Sequence, residues 1–366
     1  MDEKLARAAI LPCNRVRGIA LRGPCSSRLF RELCHPFPQL ESFKFSFPFP
    51  LHEVFEKIVP PTFLSPAPCL RRLTLEEVAP INLSSLLSPA TGVVELTLTL
   101  GVFRYGALPE ASLFANLRRL SCLRRLELML NNIYHDIIII PYHLPSPARD
   151  VVRLTKLTDL IVIGHAPYVE MIVAGLATPS LQHLDAEFWD GCPFFPIPNL
   201  CKFICDTECQ LRAVRLDFTW FNVKFSAETC SESDHAQTFR ITLPESFSLE
   251  SFCNTLSGPL STVEEFTVGW VAAARPSTQE DHIPWRLFFN HMPNVKTVRL
   301  TSEVPFHVAH SILLDSEERA LDLLPALEYV KLEITPTHWQ DASIRAAYEK
   351  LVAPRQRPIT LSWTII

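Results

Sequence analysis

The chain has 366 residues, 48% of them hydrophobic, and a formal net charge of −5 with Lys and Arg interleaved among Asp and Glu. That length and apolar content suffice for a large core or an elongated array, while the near-balanced charge denies nucleic acid or an anionic membrane a long-range positive field. Only 10 glycines stand against 31 prolines, and neither G-x-G-x-x-G nor G-x-x-x-x-G-K occurs, so a glycine-rich phosphate cradle is excluded.

The N-terminal "MDEKLARAAI" carries acids where a secretory signal would carry basic residues. No later run reaches the roughly 20 apolar residues of a membrane span. A cytoplasmic or nuclear chain is expected, with no membrane partner. Its 11 cysteines are odd in number and lack framework spacing, which suits buried thiols better than disulfides.

In chain order, a template L-x-x-L-x-L begins at Val16, Leu40, Leu70, Val93, Leu123, Leu157, Leu181, Leu211, Thr238, Val263, Val295 and Leu327. "RPITLSW", around Ile359 and Leu361, offers a further copy. The spacing is uneven and averages about 28 residues, close to the upper end of the leucine-rich-repeat range. Between copies, "LHEVFEKIV" places Val54, Phe55 and Ile58 on one helical face, and "YVEMIVAGL" does the same with Val169, Ile172, Val173 and Leu176. Pro in "PSL", "PNV" and "PAL" is read as the stop that ends a helix before each strand. "IIII" at Ile137 to Ile140 reads as a buried or inserted strand.

Strands alternating with helices at short intervals predict an α/β leucine-rich-repeat solenoid, a horseshoe with a parallel concave sheet and irregular repeats. One solenoid is expected over 1–366, with about 12–13 repeats, an N-terminal cap at 1–35 and a C-terminal cap at 336–366. The stretch 189–237 is read as an irregular insertion, because "LCKFIC" from Leu200 matches the template too soon before Leu211.

Degenerate "PxLxxLxL" repeats, rich in Pro and Cys and without a regular Asn ladder, resemble the repeat region of fungal F-box-type leucine-rich-repeat proteins. The resemblance implies the substrate-recognition part of a cullin-based ubiquitin ligase, whose F-box docks the Skp adaptor. The box itself is not evident, since "ILPCN" at Ile10 to Asn14 lacks the acid of "LPxE". The alternative is a repeat scaffold or adaptor unrelated to ubiquitin.

The third, fifth and seventh template positions are expected to point outward from the sheet. The third gives Arg72, Glu95, Arg125, Asp159 and His183, a row of alternating charge. The fifth and seventh give Glu127 and Met129, Ile161 and Ile163, Asp185 and Glu187, and Arg215 and Asp217. Apolar Ile161, Ile163 and Met129 among acids predict either a binding patch for a protein with a basic segment or a strip covered by the chain's own loop. Trp189, Trp220 and Trp270, with Phe188 and Phe221, are read as rim anchors or as core filling.

No enzyme is expected, and no cofactor or metal. Cys192, Cys201, Cys205 and Cys209 lack the paired spacing of zinc ligands. "HEVFE" at His52 ends in Glu56 where a second His would be needed, and His307 with His310 has no third ligand. No G-x-S-x-G elbow occurs. The arginines at Arg71, Arg118 and Arg124 are interleaved with acids, without the aromatic platform of a nucleic-acid site.

Overall fold

Eight times among the described residues, the residue that opens the template closes a turn onto the carbonyl three residues before it. Leu40 N–H donates to Phe37 O (3.2 Å), Leu70 to Ala67 (3.0 Å), Leu123 to Leu120 (3.1 Å) and Leu157 to Leu154 (3.3 Å). Leu181 does so to Thr178 (3.1 Å), Val263 to Leu260 (3.2 Å), Val295 to Met292 (3.2 Å) and Leu327 to Leu324 (3.1 Å). Pro38, Pro68, Pro179, Pro293 and Pro325 occupy the second position of five of these turns. Proline is preset for that position, because its ring fixes φ where the turn needs it. The prolines therefore do more than stop a helix, as they shape the corner from which each strand departs.

These features belong to a computed structural model that describes residues 13–23, 33–46, 67–78, 87, 91–100, 110–130, 151–189, 197–206, 210–219, 222–230, 236–244, 249–270, 285–302, 324–334, 346, 349 and 359–365. The helix expected in 51–59, the Ile137–Ile140 run, Trp220, Phe221 and most of 1–35 and 336–366 lie outside the described residues. So do Cys192, Cys209, His52, Glu56, His307 and His310.

The chain divides into two compact units, Met1–Ala186 and Glu187–Ile366. The first contains β1 (Gly18–Arg22), β2 (Ser42–Ser46), β3 (Arg72–Val78), β4 (Glu95–Leu100), helix α1 (Glu110–Arg119), β5 (Arg125–Leu130) and β6 (Val152–Arg153). It continues with β7 (Asp159–Gly164), α2 (Ala166–Ala174), β8 (Leu176–Ala177) and β9 (His183–Phe188), which begins in this unit. The sheet runs β1-β2-β3-β4-β5-β7-β9, while β6 and β8 form a separate parallel pair. From β1 to β7 every neighbouring pair in the sheet is parallel and in step with the template.

The step is set by one carbonyl per repeat, which accepts two N–H groups from the next. Val94 O takes Arg124 N (2.8 Å) and Arg125 N (3.1 Å); Arg124 O takes Thr158 N (2.8 Å) and Asp159 N (3.0 Å). With register fixed, the apolar template positions stack inward. Leu73, Leu96, Leu126 and Leu160 form one row, and Leu75, Leu98, Leu128 and Val162 the next, each 0–1% exposed. Burial of each contributes about 2 kcal/mol. Helix α2 buries Val169, Ile172 and Val173, and Leu176 is buried just beyond it in β8. The ring of Phe114 from α1 comes so close to Gly175 that a Cβ there would stand 2.2 Å from it.

The second unit contains α3 (Pro198–Asp206), β10 (Gln210–Phe218), β11 (Asn222–Cys230), β12 (Thr238–Pro244), α4 (Leu249–Thr255), α5 (Ser257–Leu260) and β13 (Glu265–Trp270). It ends with α6 (Trp285–Asn290), β14 (Thr297–Ser302), β15 (Tyr329–Ile334) and β16 (Thr360–Ile365). Its sheet runs β12-β11-β10-β13-β14-β15-β16. This corrects the expected all-parallel sheet, because β11 is antiparallel to both β10 and β12. The cause is a short connection. Thr219 N–H donates to Asn222 O at 2.8 Å, which closes a hairpin, and no crossover fits in so few residues. The architecture is therefore a mixed, mostly parallel sheet with flanking short helices.

"LCKFIC" is helical rather than template-like. Leu200, Cys201 and Ile204 are the buried residues of α3, a spacing of one and four that only a helix places on one side. The second core leans on aromatic rings: Phe225 meets Phe252 edge-on with centroids 5.1 Å apart, and Phe266 lies 6.3 Å from Phe288 and 6.1 Å from Phe289.

Candidate protein-binding faces

Each strand that buries alternate residues must turn the others away from the core. In the first unit, strand register sets Arg72, Glu95, Arg125 and Asp159 side by side, as the template predicts. The ion pair that forms here runs along the strand instead, from Arg125 to Glu127 at 3.7 Å, and Asp159 accepts a 2.6 Å hydrogen bond from the Thr158 hydroxyl.

One row over, Glu127 stands opposite Ile161 and Met129 opposite Ile163. All four are half-buried, so both isoleucines keep part of their surface in water. The Met129 sulfur accepts a hydrogen bond from the Thr99 hydroxyl (3.7 Å), which fixes one edge of this apolar strip. On β9, Gln182 and His183 both donate to Thr158 O (2.8 and 2.9 Å), the same offset as in earlier repeats. That offset places exposed His183 beside Asp159 and half-buried Asp185 beside Ile161. The strip is thus bordered by carboxylates of Glu127, Asp159 and Asp185.

Nearer the N-terminus, Glu76 gathers the opposite charge. Its carboxylate accepts from Ser46 and pairs with Lys44. Burial raises its pKa, but the hydrogen bonds of Lys44 and Ser46 and the charges of Lys44 and Arg22 outweigh that and hold it below the ordinary value. The next residue, Glu77, takes φ of 60° at a bulge in β3, where the register slips between Leu75 and Val78.

Glu187, Arg215 and Asp217 belong to the second unit. Arg215 and Asp217 sit on β10, whose neighbours are β11 and β13. There Arg215 grips Asp217 through Nε (2.6 Å) and Nη2 (2.9 Å), and those hydrogen bonds raise the arginine's pKa further. Across β14 and β15, Arg299 donates through Nε and Nη2 to the single oxygen Oε1 of Glu333. Trp189 follows β9 and is half-buried, and Trp270 ends β13.

Among the described residues no group of three or more His, Cys, Asp and Glu could hold a metal ion, and no helix is long and apolar enough to cross a membrane. Cys201 and Cys253 are buried thiols, and burial followed by the neighbouring Cys201 drives the Cys253 pKa far up, which favours the neutral thiol.

No family model and no curated protein matches the chain. Among solved structures it is similar to the crystal structure of a TLR13–ssRNA13 complex, at 13% identity and a TM-score of 0.35. That alignment covers 82% of this chain and 37% of the other, so this chain spans little more than a third of that protein's length.

Proposed function

We propose that the chain is a non-catalytic repeat scaffold that binds another protein, and that the first unit's sheet face receives a basic segment of that partner. The observation that carries this reading is the half-exposed strip of Met129, Ile161 and Ile163, set in register and bordered by Glu127, Asp159 and Asp185. Apolar contact in the middle supplies affinity, and the surrounding acids supply orientation and exclude acidic competitors. His183 lies on the same face. Glu187, Arg215 and Asp217, and the tryptophans Trp189, Trp220 and Trp270, are further contact candidates from the sequence pattern.

The test is a polarisation titration of the full chain with a labelled Lys/Arg-rich peptide containing one leucine. Asp159→Lys with Asp185→Lys, and separately Ile161→Asp, should each weaken binding about tenfold, or about 1.4 kcal/mol. Unchanged affinity in both would overturn the assignment. A narrower version makes the scaffold the substrate-recognition arm of a cullin-based ubiquitin ligase. It rests on the repeat pattern alone, and co-purification of a Skp adaptor with the same chain separates it from the general scaffold.

A further inference from the structure

The second unit carries a charge pattern that the reading above does not use. Strand register aligns Arg240, Ser226, Arg215, Thr267, Arg299, Lys331 and Ser362 in one outward row from β12 to β16. Four are cations and none is an acid. The closest acids, Asp217 and Glu333, stand one row over and lie low. Their side chains are 21% exposed each, against 55% for Arg215 and 51% for Arg299, which they bind. Both carboxylates thus brace an arginine from below while the guanidinium faces solvent.

Gly269 makes this possible beside Asp217. A Cβ there would stand 2.3 Å from Asp217 Oδ1, 3.2 Å from Thr301 Oγ1 and 3.5 Å from Arg215 Nη2, so the bare backbone lets the pair settle against the sheet. Arg240 and Lys331 are exposed, and among the described residues no acid pairs with either.

We propose that this row docks an extended acidic segment of a protein partner. Arg240, Arg215 and Arg299 are each two strands apart, about 10 Å, with Lys331 about 5 Å beyond. A peptide in polyproline-II conformation rises about 3.1 Å per residue and returns to the same side every third residue, so carboxylates at that interval match the spacing. Asp217 and Glu333 stand along one edge, where Lys224 adds a further exposed cation opposite Asp217, and Glu228 and Glu265 stand along the other. A phosphate chain with bulky bases would meet those acids on both sides. Tyr329, 46% exposed, is the sole ring among the exposed large apolar side chains of the described residues, which is too little for a stacking platform. This inference stands apart from the first unit's face.

The experiment titrates the full chain with a labelled Asp/Glu-rich peptide of about 12 residues. Arg240→Glu with Lys331→Glu should weaken binding at least about tenfold and flatten its salt dependence. The control pair Lys202→Glu with Arg153→Glu makes the same change in net charge away from the row and should leave binding unchanged. Equal loss in both pairs, no binding of the peptide, or its displacement by a tighter-binding single-stranded oligonucleotide would each overturn the proposal. The Lys/Arg-rich peptide serves as a second probe. Its retained binding to the Arg240/Lys331 variant shows that the first face is intact when the second fails.

Discussion

Inward positions of β4, β5 and β7 in the first unit are almost all leucine, from Leu96 to Leu160, whereas β11, β12 and β13 in the second bury Phe225, Phe239 and Phe266. Outward positions differ as well: isoleucines among acids in the first, arginines braced by sunken acids in the second. Both units nevertheless use the same turn and the same shared carbonyl. Lys296 O, for example, accepts Glu328 N (2.8 Å) and Tyr329 N (2.9 Å) just as Arg124 O serves the first unit. The backbone ladder therefore dictates where a side chain points, and leaves open what it is. Interior chemistry and surface chemistry vary independently on one frame.

The hardest way to break this comparison is from inside. Leu128→Ala and Phe266→Ala, both at residues no more than 1% exposed, should each cost about 3–5 kcal/mol. Hydrogen exchange should then quicken in β4, β5 and β7 for the first and in β10, β13 and β14 for the second, since stability in stacked repeats is local. Uniform acceleration over both units would refute that locality.

Glycines sharpen it at smaller scale. Gly175→Ala in the first unit drives a methyl into the Phe114 ring, which is held in the core, and should cost about 1–3 kcal/mol by urea denaturation. Gly269→Ala in the second meets the terminal carboxylate of Asp217 first, at the end of a side chain that can turn aside, and should cost less than about 1 kcal/mol. A reversed order would mean that the Arg215–Asp217 pair is rigid.

The smallest effect is on acid stability, and it should be shared. Glu76 in the first unit is held low against its burial by Lys44, Ser46 and Arg22; Glu264 in the second is held low by its 2.7 Å hydrogen bond from Lys296. A carboxylate depressed in the folded state stabilises above its unfolded pKa and loses that contribution as pH falls through the folded value. Thermal midpoints of Glu76→Gln with Glu264→Gln should therefore fall less than wild type between about pH 6 and pH 3.

Much of this was legible beforehand because burial selects residue type at fixed spacing. Leu123, Leu126 and Leu128 announce their side of β5 without any structure. Three things were not. The turn was hidden because its bond joins residues three apart, and the template begins at the residue that closes it. Strand β11 escapes the template although Val223, Phe225, Ala227 and Thr229 alternate strictly, since an antiparallel strand has no reason to obey a parallel repeat. The basic row was half visible. Arg215, Arg299 and Lys331 are fifth positions of their copies, but Arg240 is a third position. The hairpin register of β11 and β12 shifts it by two residues into line with them.

The shared carbonyl also explains why the repeats can be so uneven. The shared carbonyl ties the corner and the strand that leaves it to the preceding repeat; among the described return stretches, β6 and β8 are paired in register as well. The stretches between these tied points differ in content from repeat to repeat, from α2 with β8 after β7 to α4 with α5 after β12, while the corner and its strand recur.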